Sequence, residues 1–230
     1  MAAVLRLKEK GIGYASSEDL LEWSEQKYIP VMEHESGALN CWAPEIFYDE
    51  HEKLFMIFWS TTIPGRFPKT DQTGDEKYNH RMYYVTSRDM KKFSETKLLY
   101  DQGFNVIDGT LLKYDDRYYM FLKDETKKPV AQKNIRISTS PALTGPYSKP
   151  TEPIFDKVWA EGPTVIRVGE KWVVYFDTYR KDKMGAVESG DLINWKDISH
   201  QVDIPGETRH GTVIRVHRKV LENLLKKTAH

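Results

Sequence analysis

Cysteine is nearly absent from this chain. Cys41 is the only one in 230 residues, which excludes an internal disulfide and any cysteine-built metal cluster. Long apolar runs are absent too, so no transmembrane helix is predicted and no membrane partner is expected. An excess of either charge is missing: Lys plus Arg number 34 and Asp plus Glu number 34. A nucleic-acid partner needs a basic excess and is therefore not expected. Met1–Lys10, MAAVLRLKEK, is too short and too charged for a secretory signal. What is abundant is aromatic: 12% of residues, with six Trp and thirteen Tyr. Such residues suit strand cores, and their flat faces also suit the C–H faces of sugars.

The chain repeats itself. Asn105–Lys123, NVIDGTLLKYDDRYYMFLK, reads as a β-hairpin with the acid Asp108 at the mouth of its first strand. Ala43–Phe58 and Glu161–Phe176 repeat the pattern, and His210–Val216 begins it again. The steps are 65, 53 and 49 residues. Repeats of about 40–50 residues with several strands each are the signature of a β-propeller. In that reading Asp108, Glu161 and His210 hold equivalent positions on successive blades, and their side chains converge on one central pocket.

Each hairpin is followed by a common ending. Asp19 to Trp23, Asp89 to Phe93 and Asp191 to Trp195 share one spacing, which Leu143 to Tyr147 keeps without the acid. These acids are read as turn formers and the aromatics as packing between blades. Gly11–Trp23 is read as strand, turn and strand, with Trp23 opening the second strand. Thr61–His80 is a Pro-, Gly- and Thr-rich insertion, and Asp124–Asn134 a shorter one; both must be loops. Val220, Leu224 and Leu225 recur at helical spacing and predict a C-terminal helix over 217–230. Residues 1–10 are left open between a tail, a short helix and a replacement strand.

The expected fold is therefore all-β: a five-bladed propeller, incomplete at its N-terminal side, with a short C-terminal helix. Its parts are the end of a first blade (11–32), three full blades (43–100, 108–154, 161–202), the first strand of a fifth (210–216) and the helix. An open ring leaves edges bare near Gly11–Tyr14 and His210–Val216, which predicts self-association.

Taken together, CWAPEIFYD at Cys41–Asp49, IDGTLL at Ile107–Leu112, AEGPTV at Ala160–Val165 and RHGTVIRV at Arg209–Val216 resemble glycoside hydrolase family 43. The resemblance covers about residues 11–216. It implies a hydrolase of arabinofuranosides or xylosides in plant polysaccharides, inverting, and needing no organic cofactor. It implies Glu161 as general acid and Asp108 as the residue that orients it and raises its pKa. It places His210 at the pocket floor, near a water-coordinated calcium or other ion in the central channel. Trp42, Glu45 and Trp159 are candidate sugar contacts; as strand residues, Trp42 and Trp159 are equally explained by packing. Lys123, Asp177 and Arg180 end inner hairpins, where they could touch substrate hydroxyls, but the reading preferred for them is surface residues. Members of the family are often secreted or periplasmic.

One element of the family pattern has no counterpart. The general base, an Asp ahead of the strand near Gly11, is missing from residues 1–10. Asp19 belongs to a turn and cannot replace it. The alternative reading is therefore a truncated or non-catalytic relative that only binds carbohydrate. A third, a protein-interaction propeller, gives no reason for converging acids.

Overall fold

The computed structural model describes residues 2–8, 10–155, 159–205 and 208–228, with backbone alone for 2–8 and 228. Fourteen strands and one α-helix are assigned among them. The strands form four antiparallel sheets. The first holds β1 (Ala2–Lys8), β2 (Gly11–Ser16) and β3 (Lys27–Ile29). The second holds β4 (Trp42–Asp49), β5 (Leu54–Thr62), β6 (His80–Ser87) and β7 (Lys97–Tyr100). The third holds β8 (Val106–Tyr114), β9 (Arg117–Asp124) and β10 (Asn134–Ser140). The fourth holds β11 (Glu161–Val168), β12 (Lys171–Thr178), β13 (Lys183–Ser189) and β14 (Lys196–Asp197).

In each sheet the strands pair in chain order, and the first strand of each stands beside the first strand of the next. Four sheets so arranged fit a partial propeller. The sequence explains the packing. Strand β5 reads LFMIFW without a polar interruption because both of its faces are buried. Ile57 and Trp59 pack toward Ile12 and Ile29 of the first sheet. Met56 and Phe58, pointing the other way, pack toward Leu111, Met120 and Leu122 of the third. The third sheet repeats the device, since Phe121 faces Trp172, Val174 and Phe176 of the fourth. The core is thus three apolar layers, each between two successive sheets. Gly109 lets the Met82 side chain pack against the β8 backbone, since a Cβ at this position would lie 2.2 Å from Met82 Cε and push that chain end aside.

Several expectations are corrected. Residues 2–8 form a strand paired to β2, so Gly11–Tyr14 is flanked on both sides and is not a bare edge. Trp23 does not open a strand; it is exposed, and the strand begins at Lys27. Phe93, Tyr147 and Trp195 do pack into the layers. His210–Val216 belongs to no strand and carries no ladder. It lies along β11 through side chains instead, with Val213 N–H donating to Thr164 Oγ1 at 3.1 Å. The Asp residues of the common ending do cap turns: Asp191 Oδ1 accepts the N–H groups of Ile193 and Asn194 at 2.9 and 2.8 Å. The C-terminal helix α1 spans Arg218–Thr228, and the last two residues lie outside the described ones.

One buried acid ties two sheets together. Asp49, at the end of β4, is fully buried and accepts from Lys113 Nζ at 3.1 and 3.0 Å, and from the Tyr118 hydroxyl. Burial alone would raise its pKa, but these donors and the Glu52 N–H hold it down at about 2. Asp49→Ala should therefore cost about 2–4 kcal/mol at neutral pH. A depressed carboxyl stabilises above its unfolded-state pKa, and that contribution is lost as pH falls toward 2. Urea unfolding at pH 7 and pH 3 checks this: the gap between wild type and variant must narrow at pH 3.

Candidate active site

The site is built on a local irregularity that recurs. Strands β4, β8 and β11 each break register with their neighbour at the same depth: between Trp42 and Glu45, Ile107 and Thr110, and Glu161 and Thr164. Each break is a β-bulge, which aims side chains that a regular strand would turn away. The second residue of each bulge has positive φ: Ala43 at 48°, Asp108 at 54°, Gly162 at 57°.

The bulge corrects the expected alignment. By ladder position Glu161 matches Ile107 and Trp42, while Asp108 matches Ala43 and Gly162. Asp108 and Glu161 are therefore one step apart in depth, not equivalent. They still converge, because the bulge presents consecutive residues to the channel. Ligand atoms of Asp108, Glu161 and His210 lie within 4.8 Å of one another. Asp108 is the deeper, 6% exposed, and its Oδ2 accepts the Gly162 N–H at 3.1 Å. Gly162 needs to be glycine: besides its φ, a Cβ there would lie 2.9 Å from the His210 ring.

Glu161 is surrounded by cations. Lys123 Nζ donates to Oε2 at 2.7 Å, His210 Nε2 lies 2.9 Å from Oε1, and Arg209 reaches Oε1 at 3.4 Å. Burial would raise the Glu161 pKa, but the His210 hydrogen bond and Lys123 outweigh it and hold it at about 2. Asp108 goes the other way. Its burial raises the pKa, with Lys123 and His210 opposing and Glu161 adding to the rise. The expectation that Asp108 would lift Glu161 is therefore reversed in the free protein: Glu161 is held ionised, and Asp108 is the acid whose charge is penalised. The His210 pKa is raised, first by its bond to Glu161.

Lys123 and Asp177 are not surface residues. Lys123 is 4% exposed and pairs with both Glu161 and Glu125, the latter at 2.6 Å. Asp177 is fully buried under Arg209. Glu125 in turn meets Lys133, and Lys133 meets Asp75 of the first insertion at 2.7 Å, so a chain of charges runs from the pocket into the loops. Arg81, buried, fixes the same insertion by bonding Asn79 Oδ1 and Thr70 Oγ1 at 3.0 and 2.8 Å.

Two cavities meet at Ala43, Asp108 and His210. One, of about 260 Å³, is walled by Glu45, Gly109, Pro163 and Gly211. The other, of about 320 Å³, is walled by Trp42, Tyr78, His80, Lys123, Glu125 and Glu161. Trp42 and Tyr78 lie 4.6 Å apart and give the second cavity an aromatic wall. Glu45 has no hydrogen bond or ion pair among the described residues, and burial pushes its carboxyl up to about 7. Trp159 lines neither cavity; its ring carries the Arg180 guanidinium at 3.0 Å. Tyr78 and His80 were not singled out from sequence, and only their place at the end of the first insertion could have pointed to them.

A calcium ion ligated by Asp108, Glu161 and His210 does not fit. Calcium takes about six to eight oxygen ligands, whereas here one of three donors is nitrogen and Glu161 is already neutralised by Lys123. Nor can Asp108 serve as the base opposite Glu161, since an inverting pair stands about 6.5–9.5 Å apart with room for water. Strand β1, the first of its sheet and beside β4, has no acid in Ala2–Lys8.

Residues 4–222 match the sequence model of a family described as "Probable glycosyl hydrolase domain". An α-L-arabinofuranosidase of Bifidobacterium longum subsp. longum is 31% identical over 121 residues, which is 47% of this chain and 11% of that protein. Among solved structures, a family 43 β-1,3-galactosidase superposes with a TM-score of 0.61 at 17% identity, over 85% of this chain and 42% of that one. An exo-β-1,3-galactanase of Phanerochaete chrysosporium with bound β-1,3-galactotriose gives 0.60 at 10%, over 86% and 49%. A thermostable family 43 glycoside hydrolase gives 0.58 at 16%, over 86% and 73%. At these identities the structural likeness concerns the fold. The chain spans a ninth of the curated relative and less than half of the first two structures.

Proposed function

Because this chain belongs to the glycosyl hydrolase family related to glycoside hydrolase family 43, we propose that its aromatic-walled cavity takes one terminal arabinofuranosyl or xylosyl unit of a plant polysaccharide. The observation that carries this is the meeting of Asp108, Glu161 and His210 at a cavity walled by Trp42 and Tyr78. Glu161 is the proton donor to the glycosidic oxygen, and Asp108 the buried acid that fixes the backbone beside it by accepting the Gly162 N–H. His210 holds a proton 2.9 Å from Oε1, and its transfer would charge Glu161 for donation once a sugar displaces water. Water then attacks the anomeric carbon from the opposite face as the glycosidic C–O bond breaks. With no acid on β1 to take its proton, that proton passes to solvent water, which makes an inverting hydrolysis slow. On this reading the four sheets are blades of a five-bladed ring, with 43–100, 108–154 and 161–202 as three of them, and the fifth place lies beyond the fourth sheet.

A second reading, sugar binding without turnover, is favoured by two observations: His210 and Lys123 hold the Glu161 carboxyl well below the usual range, and β1 offers no base. Calorimetry separates the outcomes from a non-carbohydrate role. Methyl α-L-arabinofuranoside or methyl β-D-xyloside should bind, with methyl β-D-galactoside as the comparison suggested by the galactan-acting relatives. Glu161→Gln should keep that binding while abolishing any hydrolysis. Absence of binding to all three sugars would overturn both readings.

A further inference from the structure

The wall of the larger cavity contains a histidine whose protonation is fixed by its neighbours. His80 opens β6 and is buried, stacked on Tyr78 at 5.5 Å and 5.3 Å from Trp42. Its Nδ1 lies 3.0 Å from Thr62 Oγ1 and 3.4 Å from Asn40 Nδ2. Thr62 Oγ1 accepts the Asn79 N–H at 3.0 Å and keeps its own proton free to donate to Nδ1. Asn40 Oδ1 accepts the Thr62 N–H at 2.8 Å, which leaves its NH₂ facing Nδ1 as well. Two donors converge on one ring nitrogen. That nitrogen is bare, and the ring proton is on Nε2. Burial, with Lys123, Lys133 and Arg81 nearby, pushes the imidazole pKa down to about 3, so the ring stays neutral.

The cavity otherwise offers mostly acceptors. Asp75, Glu125 and Glu161 line it as carboxylates, and Lys123 is committed to two of them. Sugar hydroxyls can donate to those groups, but a sugar oxygen that must accept finds few donors. We propose that His80 is a specificity-determining residue: its Nε2–H donates to one oxygen of the sugar held against Trp42 and Tyr78. The proposal rests on reading this cavity as a sugar site. A neutral donor suits the place, because a further cation would compete with Lys123, His210 and Arg209 for Glu161. A buried N–H left without a partner is costly, so a sugar lacking that oxygen is rejected.

The test uses the full chain with methyl α-L-arabinofuranoside and methyl β-D-xyloside. His80→Phe keeps a flat ring without the N–H, and His80→Gln restores an N–H of similar reach. The sugar that binds wild type should bind His80→Phe at least about tenfold more weakly, and His80→Gln within about threefold. Wild-type protein labelled with ¹⁵N-histidine needs no substitution: Nε2 should be protonated and Nδ1 bare from pH 5 to 8, and the Nε2–H resonance should move on saturation with sugar. Equal binding by wild type and His80→Phe, a proton on Nδ1, or an unmoved Nε2–H would each overturn the proposal while leaving sugar binding intact. If neither sugar binds wild type, the reading of the site falls and takes the proposal with it.

Discussion

Sodium azide should accelerate turnover of 4-nitrophenyl α-L-arabinofuranoside or β-D-xyloside by this protein, and leave natural arabinosides and xylosides almost unhydrolysed. Two features lead there. No carboxylate stands on β1, from which the water would be activated, and loss of a general base costs about 10²–10⁴ in rate. Glu161 is held ionised by His210 and Lys123, so a leaving group that needs protonation is poorly served. Nitrophenolate needs none. Azide is a small anion that attacks without a base, and the product should be the glycosyl azide of inverted configuration. The gain is bounded by the same factor, up to about 10²–10⁴. Glu161→Gln should keep most of the azide-dependent rate on the nitrophenyl substrate. Full activity on natural substrate without azide would mean that another group supplies the base.

Lys123→Met should destabilise the protein by about 3–5 kcal/mol at neutral pH, since it removes the buried cation that Glu125 and Glu161 share and leaves Asp108 less compensated. The pH dependence gives the sign. In wild type the depressed Glu161 pKa stabilises above its unfolded value near 4.3, and that contribution is lost as pH falls toward 2. In the variant Lys123 no longer opposes burial at Asp108, whose carboxyl is raised further, while His210 still holds Glu161 down. A raised carboxyl destabilises increasingly as pH climbs above the unfolded value. The variant should therefore gain more stability than wild type from pH 8 to pH 5, because the raised Asp108 and His210 already give wild type part of that gain. Urea midpoints at the two pH values decide it; a loss of the same size at both would show that Lys123 acts through packing alone.

The sequence was informative wherever one strand explains its own residues. The hairpins at Ala43, Asp108 and Glu161, the turn-capping Asp19, Asp89 and Asp191, and the final helix all follow from local pattern. The meeting of Asp108, Glu161 and His210 followed from the repeat. What could not be read was set by partners remote in sequence. Lys123 looked like a charge at a strand end, and its counter-charge Glu161 is 38 residues away. Asp177 is buried because Arg209, 32 residues on, covers it. The one-step offset of Asp108 from Glu161 is invisible, because a bulge leaves the residue types unchanged and shifts only their pairing. His210–Val216 has the letters of a strand, but a strand needs a ladder partner, and its backbone forms no ladder here.

The bulge shared by β4, β8 and β11 also divides labour within each strand. A regular strand shows a channel every other residue; a bulged one shows two neighbours, here Trp42 with Ala43, Ile107 with Asp108, Glu161 with Gly162. The first of each pair is not at positive φ and carries an indole, a branched alkyl or a carboxylate. The second sits at positive φ, where β-branched and bulky residues are strained and Gly, Asn and Asp are cheap. Its alphabet shrinks to nothing, a methyl, an amide or a short acid. Drift at the first position of β4 or β8 can change the cavity wall without touching Glu161, whereas the second position can do little more than switch a buried acid on or off. A chain of this design can therefore change its taste in sugars by single substitutions that leave the deep acid, and the backbone that holds it, untouched.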